Sequence, residues 1–129
     1  MRVLLDTQTW LWMAAAPDRL SARARTLVEN ADHELLLSAA SAWEIAIKHA
    51  LGQLHLPEPP DRYVPSRMTL LRTTPLAISH AHALRVAALP PHHRDPFDRL
   101  IVAQAQIEDV PVLTADEVFV KYDVAVVPA

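Results

Sequence analysis

Four acidic residues stand out for the segments that carry them: Asp6, Glu44, Asp98 and Asp116. Asp6 closes a short apolar run, Arg2 to Leu5 (R-V-L-L). Glu44 lies in the first turn of a helical stretch that follows a second apolar run, Glu34 to Leu37 (E-L-L-L). Asp98 lies in the first turn of a helix opened by Asp95-Pro96. Asp116 follows the run Val112-Leu113-Thr114. Short apolar runs alternating with helices read as strands of a mostly parallel sheet covered on both faces. Strand ends and helix starts share one edge of such a sheet, and sites form there. Carboxylates gathered at one edge repel one another, and no basic residue stands among the acids of these motifs, so a cation is expected to neutralise them. Without cysteine or clustered histidine, the oxygen donors suit Mg²⁺ or Mn²⁺ rather than zinc. Such an ion binds phosphate, lowers the pKa of water and stabilises in-line displacement at phosphorus. The chemistry expected is phosphodiester or phosphoryl transfer.

Each acid also has a purely structural role open to it. Ser41-Ala42-Trp43-Glu44 fits a capping box, with Glu44 as its third-position partner. Asp98 complements the helix dipole, Asp6 suits a strand-to-helix turn, and Asp116 can cap a short helix. Thr114 with Glu117 also fits a T-x-x-E cap, and the Thr114 hydroxyl could instead bond a catalytic carboxylate. Asp95 reads as a helix N-cap that also influences the site. The other candidates are weaker. His80 and His82, two apart, do not share a helix face. His92 and His93 fall in a loop beside Arg94; contact with phosphate is one reading, and solvent exposure is the one expected. Of Trp10 and Trp12, one is expected in the core. Arg19, Arg23 and Arg25 read as a solvated face.

The elements that must position these acids follow from punctuation and caps. Strands are expected at Arg2–Leu5, Glu34–Leu37, Leu70–Thr73, Val110–Leu113 and Val124–Val127. Helices are expected at Thr7–Ala15, at Ser21–Asn30 with Ser21 as N-cap, and at Ser41–Leu51 with Gly52 at its end. Further helices follow near Asp61–Met68, at Ser79–Leu89 and from Asp95 to about Glu108. The last presents Phe97, Leu100, Ile101 and Ala105 on one face. A short helix spans Asp116–Tyr122.

Composition narrows the function classes. The chain has 129 residues, 51% hydrophobic and 21% charged, with net charge -3, so a single globular domain over 1–129 is expected. Its one glycine, Gly52, excludes the dinucleotide fingerprint, the phosphate-cradling P-loop and the G-x-S-x-G elbow. With no cysteine there is no disulfide and no thiol nucleophile, which fits a reducing cytoplasm. The longest apolar run, Trp10 to Ala16, is far short of a membrane span, and the N-terminal residues do not read as a signal peptide. The net negative charge disfavours indiscriminate DNA binding.

Four segments, V-L-L-D-T at Val3–Thr7, S-A-W-E-I-A-I-K at Ser41–Lys48, D-P-F-D-R-L-I-V-A-Q-A at Asp95–Ala105 and L-T-A-D at Leu113–Asp116, resemble the PIN domain. More closely they resemble VapC-type ribonuclease toxins of prokaryotic toxin–antitoxin pairs. The second and third segments are specific, and the likeness covers nearly the whole chain. It implies a PIN-like three-layer fold with a mostly parallel sheet flanked by helices. It implies that Asp6, Glu44 and Asp98 hold Mg²⁺ (or Mn²⁺), with Asp116 assisting, for endoribonucleolytic hydrolysis of RNA by metal-activated water. It further implies a homodimer and a cognate antitoxin that silences the enzyme in a hetero-oligomer, with DNA bound only through that antitoxin and no membrane partner. Water as nucleophile leaves a 5′-phosphate and a 3′-hydroxyl. Two rivals stand beside this. A phosphoryl-transfer domain explains Asp6 but lacks the second acid of D-x-D at Gln8. A binding module that keeps the acids without catalysis is the other.

Overall fold

The computed structural model describes residues 1–129. Its centre is a five-stranded sheet: β1 (Arg2–Leu5), β2 (Glu34–Ser38), β3 (Thr73–Leu76), β4 (Val112–Thr114) and β5 (Val126–Pro128). The spatial order is β3-β2-β1-β4-β5 and every neighbouring pair is parallel. Six helices connect and cover it: α1 (Thr7–Ala15), α2 (Ala22–Glu29), α3 (Ala39–Ala50), α4 (Pro60–Leu71), α5 (His80–Arg85) and α6 (Pro96–Glu108). Short 3₁₀ turns occupy Pro17–Arg19, Val86–Ala88 and Glu117–Lys121.

Alternate strand residues point to opposite faces. Val3, Leu5, Leu35 and Leu37 pack with Trp10, Ala24, Leu27, Ile45, Tyr63 and Val64 of the first four helices. Leu4, Leu36 and Val112 pack with Ile101, Val102, Ala105 and Phe119 on the other side. The result is three layers, as expected of strands that are apolar on both faces. Trp10 is fully buried, lies edge-on to Tyr63 at 6.3 Å and donates its indole N–H to Thr73 Oγ1 at 3.2 Å. It ties α1 to the sheet's β3 side. Truncation to alanine is expected to cost about 3–5 kcal/mol.

Caps set several boundaries. Ser21 accepts the Ala24 N–H at 3.0 Å, and Asp95 accepts the Phe97 N–H at 2.8 Å, with Pro96 opening α6. Gly52 adopts φ +72° just past the end of α3, the left-handed geometry that ends a helix at low cost. Other boundaries differ from expectation. Helix α3 starts at Ala39, not Ser41, because Ser38 at the end of β2 caps it by accepting the Ala40 N–H at 2.9 Å. Ser41 is instead buried and accepts the Thr7 hydroxyl at 2.9 Å, so there is no capping box with Glu44, which sits in the second turn. No strand covers Leu70–Thr73: α4 continues to Leu71, stops at left-handed Arg72 (φ 55°), and β3 then begins at Thr73. The strands β4 and β5 each start two residues later than expected, and the helix at Ser79–Leu89 is α5 followed by a 3₁₀ turn. On α6 the buried residues are Ile101 to Ala105, while Phe97 and Leu100 are half-buried, because its middle is enclosed by the sheet, α3 and α5.

The chain runs outward from β1 through β2 to β3, then returns to place β4 on the other side of β1. The crevice of such a sheet opens where the order reverses, outside the carboxyl ends of β1 and β4. Asp6 follows β1 and Thr114 ends β4.

Candidate active site

A cleft of about 340 Å³ opens at this point, and its walls carry Asp6, Glu44, Lys48, Asp95, Asp98 and Asp116. Four segments distant in sequence thus bring all four singled-out acids to one place.

Asp6 is the N-cap of α1. Its Oδ1 accepts the Thr9 N–H at 2.8 Å, and its Oδ2 accepts the Thr114 hydroxyl at 2.5 Å. The second bond spans the junction of β1 and β4. Thr114 Oγ1 in turn accepts the Asp116 N–H at 3.0 Å. Thr114 is therefore a bridge between two of the acids and not the cap of the following turn. That cap is Asp116, whose Oδ1 accepts the Val118 N–H at 3.0 Å. Burial pushes the Asp6 carboxyl above its ordinary value, the hydrogen bonds from Thr114 and Thr9 oppose this, and the charge of Asp116 adds to it.

Glu44 lies on the cleft side of α3 and is 5% exposed. One turn on, Lys48 pairs with its Oε2 at 2.5 Å. The ammonium is held above the usual lysine range by that hydrogen bond, with burial opposing it and the charges of Glu44, Asp95 and Asp98 adding to it. Glu44 Oε1 is buried with no hydrogen-bond partner. A buried carboxylate oxygen left unpartnered costs about 1–3 kcal/mol.

Asp98 projects from the first turn of α6. Its carboxyl is pushed up to about 7, first by burial, then by the charge of Asp95; His93 opposes this, and Glu44 and Asp6 add to it. Its Oδ2 lies 3.0 Å from His93 Nε2, and Asp116 Oδ2 lies 2.9 Å from the same nitrogen. The ligand-type atoms of His93, Asp98 and Asp116 all fall within 4.8 Å of one another. Asp95 serves as the N-cap of α6 and acts on Asp98 through its charge.

Two basic groups stand among the acids after all. Lys48 carried a signal, since i,i+4 pairing with Glu44 is a helix rule. His93 carried none: it sits half-buried between two carboxylates, not exposed in a loop. Even with both in place, the acids outnumber the bases, and one buried oxygen has no partner. A hard divalent cation fits that donor set of carboxylate oxygens.

The PIN domain family model matches residues 3–125. Among curated proteins, Ribonuclease VapC22 of Mycobacterium tuberculosis is 36% identical over 104 residues, covering 80% of this chain and 78% of that protein. Ribonuclease VapC16 of the same organism is 53% identical over 58 residues, 45% of this chain and 41% of that protein's length. Among solved structures, VapBC2 from Rickettsia felis, bound to a DNA fragment from its promoter, superposes with TM-score 0.74 over 99% of this chain and 98% of that one. At 15% identity that likeness speaks for the fold.

Proposed function

The chain belongs to the PIN domain family and is a relative of the VapC ribonucleases, and from that membership we propose that it is a metal-dependent endoribonuclease, the toxin of a toxin–antitoxin pair. One observation carries the proposal. Asp6, Glu44, Asp98 and Asp116 converge in a single cleft, where Asp98 is held at about 7 and Glu44 Oε1 is left without a partner. A fold that bears such a penalty in isolation is built to receive a cation there.

Asp6, Glu44 and Asp98 would hold Mg²⁺ or Mn²⁺, with Asp116 assisting once substrate is present. When bound, the ion supplies Lewis acidity, making water a nucleophile near neutral pH and offsetting charge on the phosphate. The protein's own part is orientation. The Thr9 N–H and Thr114 hydroxyl fix both oxygens of Asp6. The Thr7–Ser41 bond locks α1 to α3, and with it Asp6 to Glu44. Lys48 offers an ammonium at the cleft wall where an RNA phosphate would arrive. Attack by water leaves a 5′-phosphate and a 3′-hydroxyl.

The partners follow the same inference: RNA as substrate, a second copy of the chain, and an antitoxin through which any DNA contact is made. The Rickettsia VapBC2 structure with its promoter fragment supports the last of these by analogy.

The test is cleavage of total cellular RNA by purified, antitoxin-free protein with Mg²⁺, with Mn²⁺ and with EDTA. Asp6→Asn, which keeps oxygen and shape at the cap of α1, serves as the folded control. Discrete metal-dependent fragments with 5′-phosphate ends, absent with Asp6→Asn, are expected. An active Asp6→Asn protein overturns the site. Binding of RNA without cleavage by folded wild-type protein overturns the activity.

A further inference from the structure

His93 touches two of the acids that line the cleft, yet the nuclease chemistry gives it no part. Its Nε2 stands 3.0 Å from Asp98 Oδ2 and 2.9 Å from Asp116 Oδ2. A neutral imidazole in that position has two possible jobs. With a lone pair on Nε2 it ligates a metal; with a hydrogen there it donates to the carboxylates.

The other ring nitrogen decides between them. Nδ1 accepts the backbone N–H of Asp95 at 3.1 Å. A nitrogen that accepts carries no hydrogen, so the neutral ring carries its hydrogen on Nε2, directed at two carboxylate oxygens. Moving that hydrogen to Nδ1 would set two N–H groups against each other. It would also turn the Nε2 lone pair onto two anionic oxygens. Hydrogen bonds at both ring nitrogens would give way to repulsion.

The ring cannot easily turn to escape this. The His93 backbone N–H donates to Tyr122 Oη at 2.7 Å, and the ring meets Phe119 edge-on at 6.0 Å. Tyr122 Oη also accepts from Arg99 Nη1 at 3.3 Å. Arg99 in turn gathers the carbonyls of Val86, Leu89 and Pro90 at 3.0–3.3 Å. The loop that presents His93 is thus pinned from below by Arg99, which directly follows Asp98.

We propose that His93 is a positioning residue of the nuclease site: a fixed Nε2–H donor that holds Asp116 against Asp98, and not a metal ligand. Its catalytic consequence rests on the nuclease reading. The assignment also explains the makeup of the site. The His93–Asp98–Asp116 cluster has the composition of a mixed nitrogen–oxygen site, which would draw zinc or cobalt. Committing the imidazole lone pair to Asp95 removes nitrogen from the donor set and leaves oxygen alone.

The experiment has two parts. First, long-range ¹H–¹⁵N correlation on metal-free, histidine-labelled protein at pH 8 reads the tautomer of His93 directly. A protonated Nε2 and a bare Nδ1 are expected; the reverse tautomer overturns the proposal. Second, calorimetric titration with Mg²⁺, Mn²⁺ and Co²⁺ compares wild type with His93→Gln, whose amide can donate an N–H but offers no imidazole lone pair. The ratio of Co²⁺ to Mg²⁺ affinity is expected to stay within about threefold. A fall well beyond that range, as expected when a nitrogen ligand favouring Co²⁺ over Mg²⁺ is removed, overturns the proposal. In RNA cleavage, His93→Ala is expected to lower kcat about 10–100-fold, as losses of a ligand's hydrogen-bond partner do. His93→Gln is expected to recover most of it with KM little changed. Failure of the Gln variant to rescue overturns the positioning role. Neither the tautomer nor the titration requires RNA cleavage, so a chain that cuts no RNA refutes the nuclease reading while leaving the donor assignment to stand or fall by itself.

Discussion

Replacing Asp98 by asparagine is expected to abolish cleavage and, in the absence of metal, to stabilise the protein. The Asp98 carboxyl rises from 3.8 to about 7 on folding. At about 1.4 kcal/mol per pKa unit, an ionised Asp98 costs the metal-free fold up to about 4 kcal/mol. The side chain is only 17% exposed, so solvent screens little of this. The neighbouring acids can swing apart and water can enter the open cleft, so about half of it, about 2 kcal/mol, is the expected net effect. The sign follows from proton counting. Between pH 3.8 and about 7 the folded chain holds a proton on Asp98 that the unfolded chain has released. The group's contribution is therefore full below pH 3.8 and is lost as pH rises through 7. Asparagine never ionises and escapes that loss. Thermal melting in EDTA at pH 8 should place Asp98→Asn about 6–10 °C above wild type, given about 4 °C per kcal/mol for a chain of this size. The gap should narrow steadily as pH falls below 7 and close only near pH 3.8. Excess Mg²⁺ at pH 8 should raise the wild type and leave the variant nearly unmoved. A variant no more stable than wild type at pH 8, or a gap that does not narrow between pH 8 and pH 4, would refute the picture of a desolvated acid waiting for a cation.

Lys48 would compete with the proposed metal for Glu44, and Lys48→Met is expected to lower metal-free stability by about 1 kcal/mol, a figure kept small because the Lys48 side chain is 44% exposed. The same variant should show a larger Mg²⁺-induced rise in melting temperature than wild type; an equal or smaller rise would separate Lys48 from the cation's place. Thr114→Val removes the hydroxyl that fixes Asp6 and accepts from Asp116. It is expected to cut cleavage about 10–100-fold and weaken Mg²⁺ binding, while Thr114→Ser restores both. Calorimetry and single-turnover cleavage check this, and a fully active valine variant would contradict it.

Much of the fold could be read from local signals. The apolar runs Arg2–Leu5 and Glu34–Leu37 are central strands, and Ser21 and Asp95 cap the helices they precede. What escaped was set by tertiary context. Strand β3 lies at the sheet edge, where the weak sequence Thr73-Thr74-Pro75 suffices because proline's missing N–H needs no ladder partner. Leu70 looked like a strand residue, yet it lies in the last turn of a helix and is exposed. The start of α3 was misplaced because two serines three apart can both serve as caps, and only the Thr7 hydroxyl, a tertiary partner of Ser41, separates them. In the site, the four acids were legible from their places at strand ends and helix starts. His93 was not, since its position depends on Tyr122 and Arg99, which meet it only in the folded chain.

The structural roles of the acids are compatible with the chemical roles proposed for them. Asp6 caps α1 with one oxygen and takes the Thr114 hydroxyl on the other. Asp116 caps its turn with Oδ1 and meets His93 with Oδ2. In both, the cap fixes the carboxylate's orientation before any ligand arrives, which lowers the cost of organising the site when one does. Glu44 shows the same logic by contrast. It caps nothing, since Ser38 starts its helix, and Lys48 holds only one of its oxygens. The oxygen left over is the buried, unpartnered atom of the cleft. A purely structural glutamate would have been drawn into the cap or replaced by a residue without a charge to bury. Its persistence beside a carboxyl held near neutrality places the unmet electrostatic demand of the fold at this one point, and a cation is what would meet it.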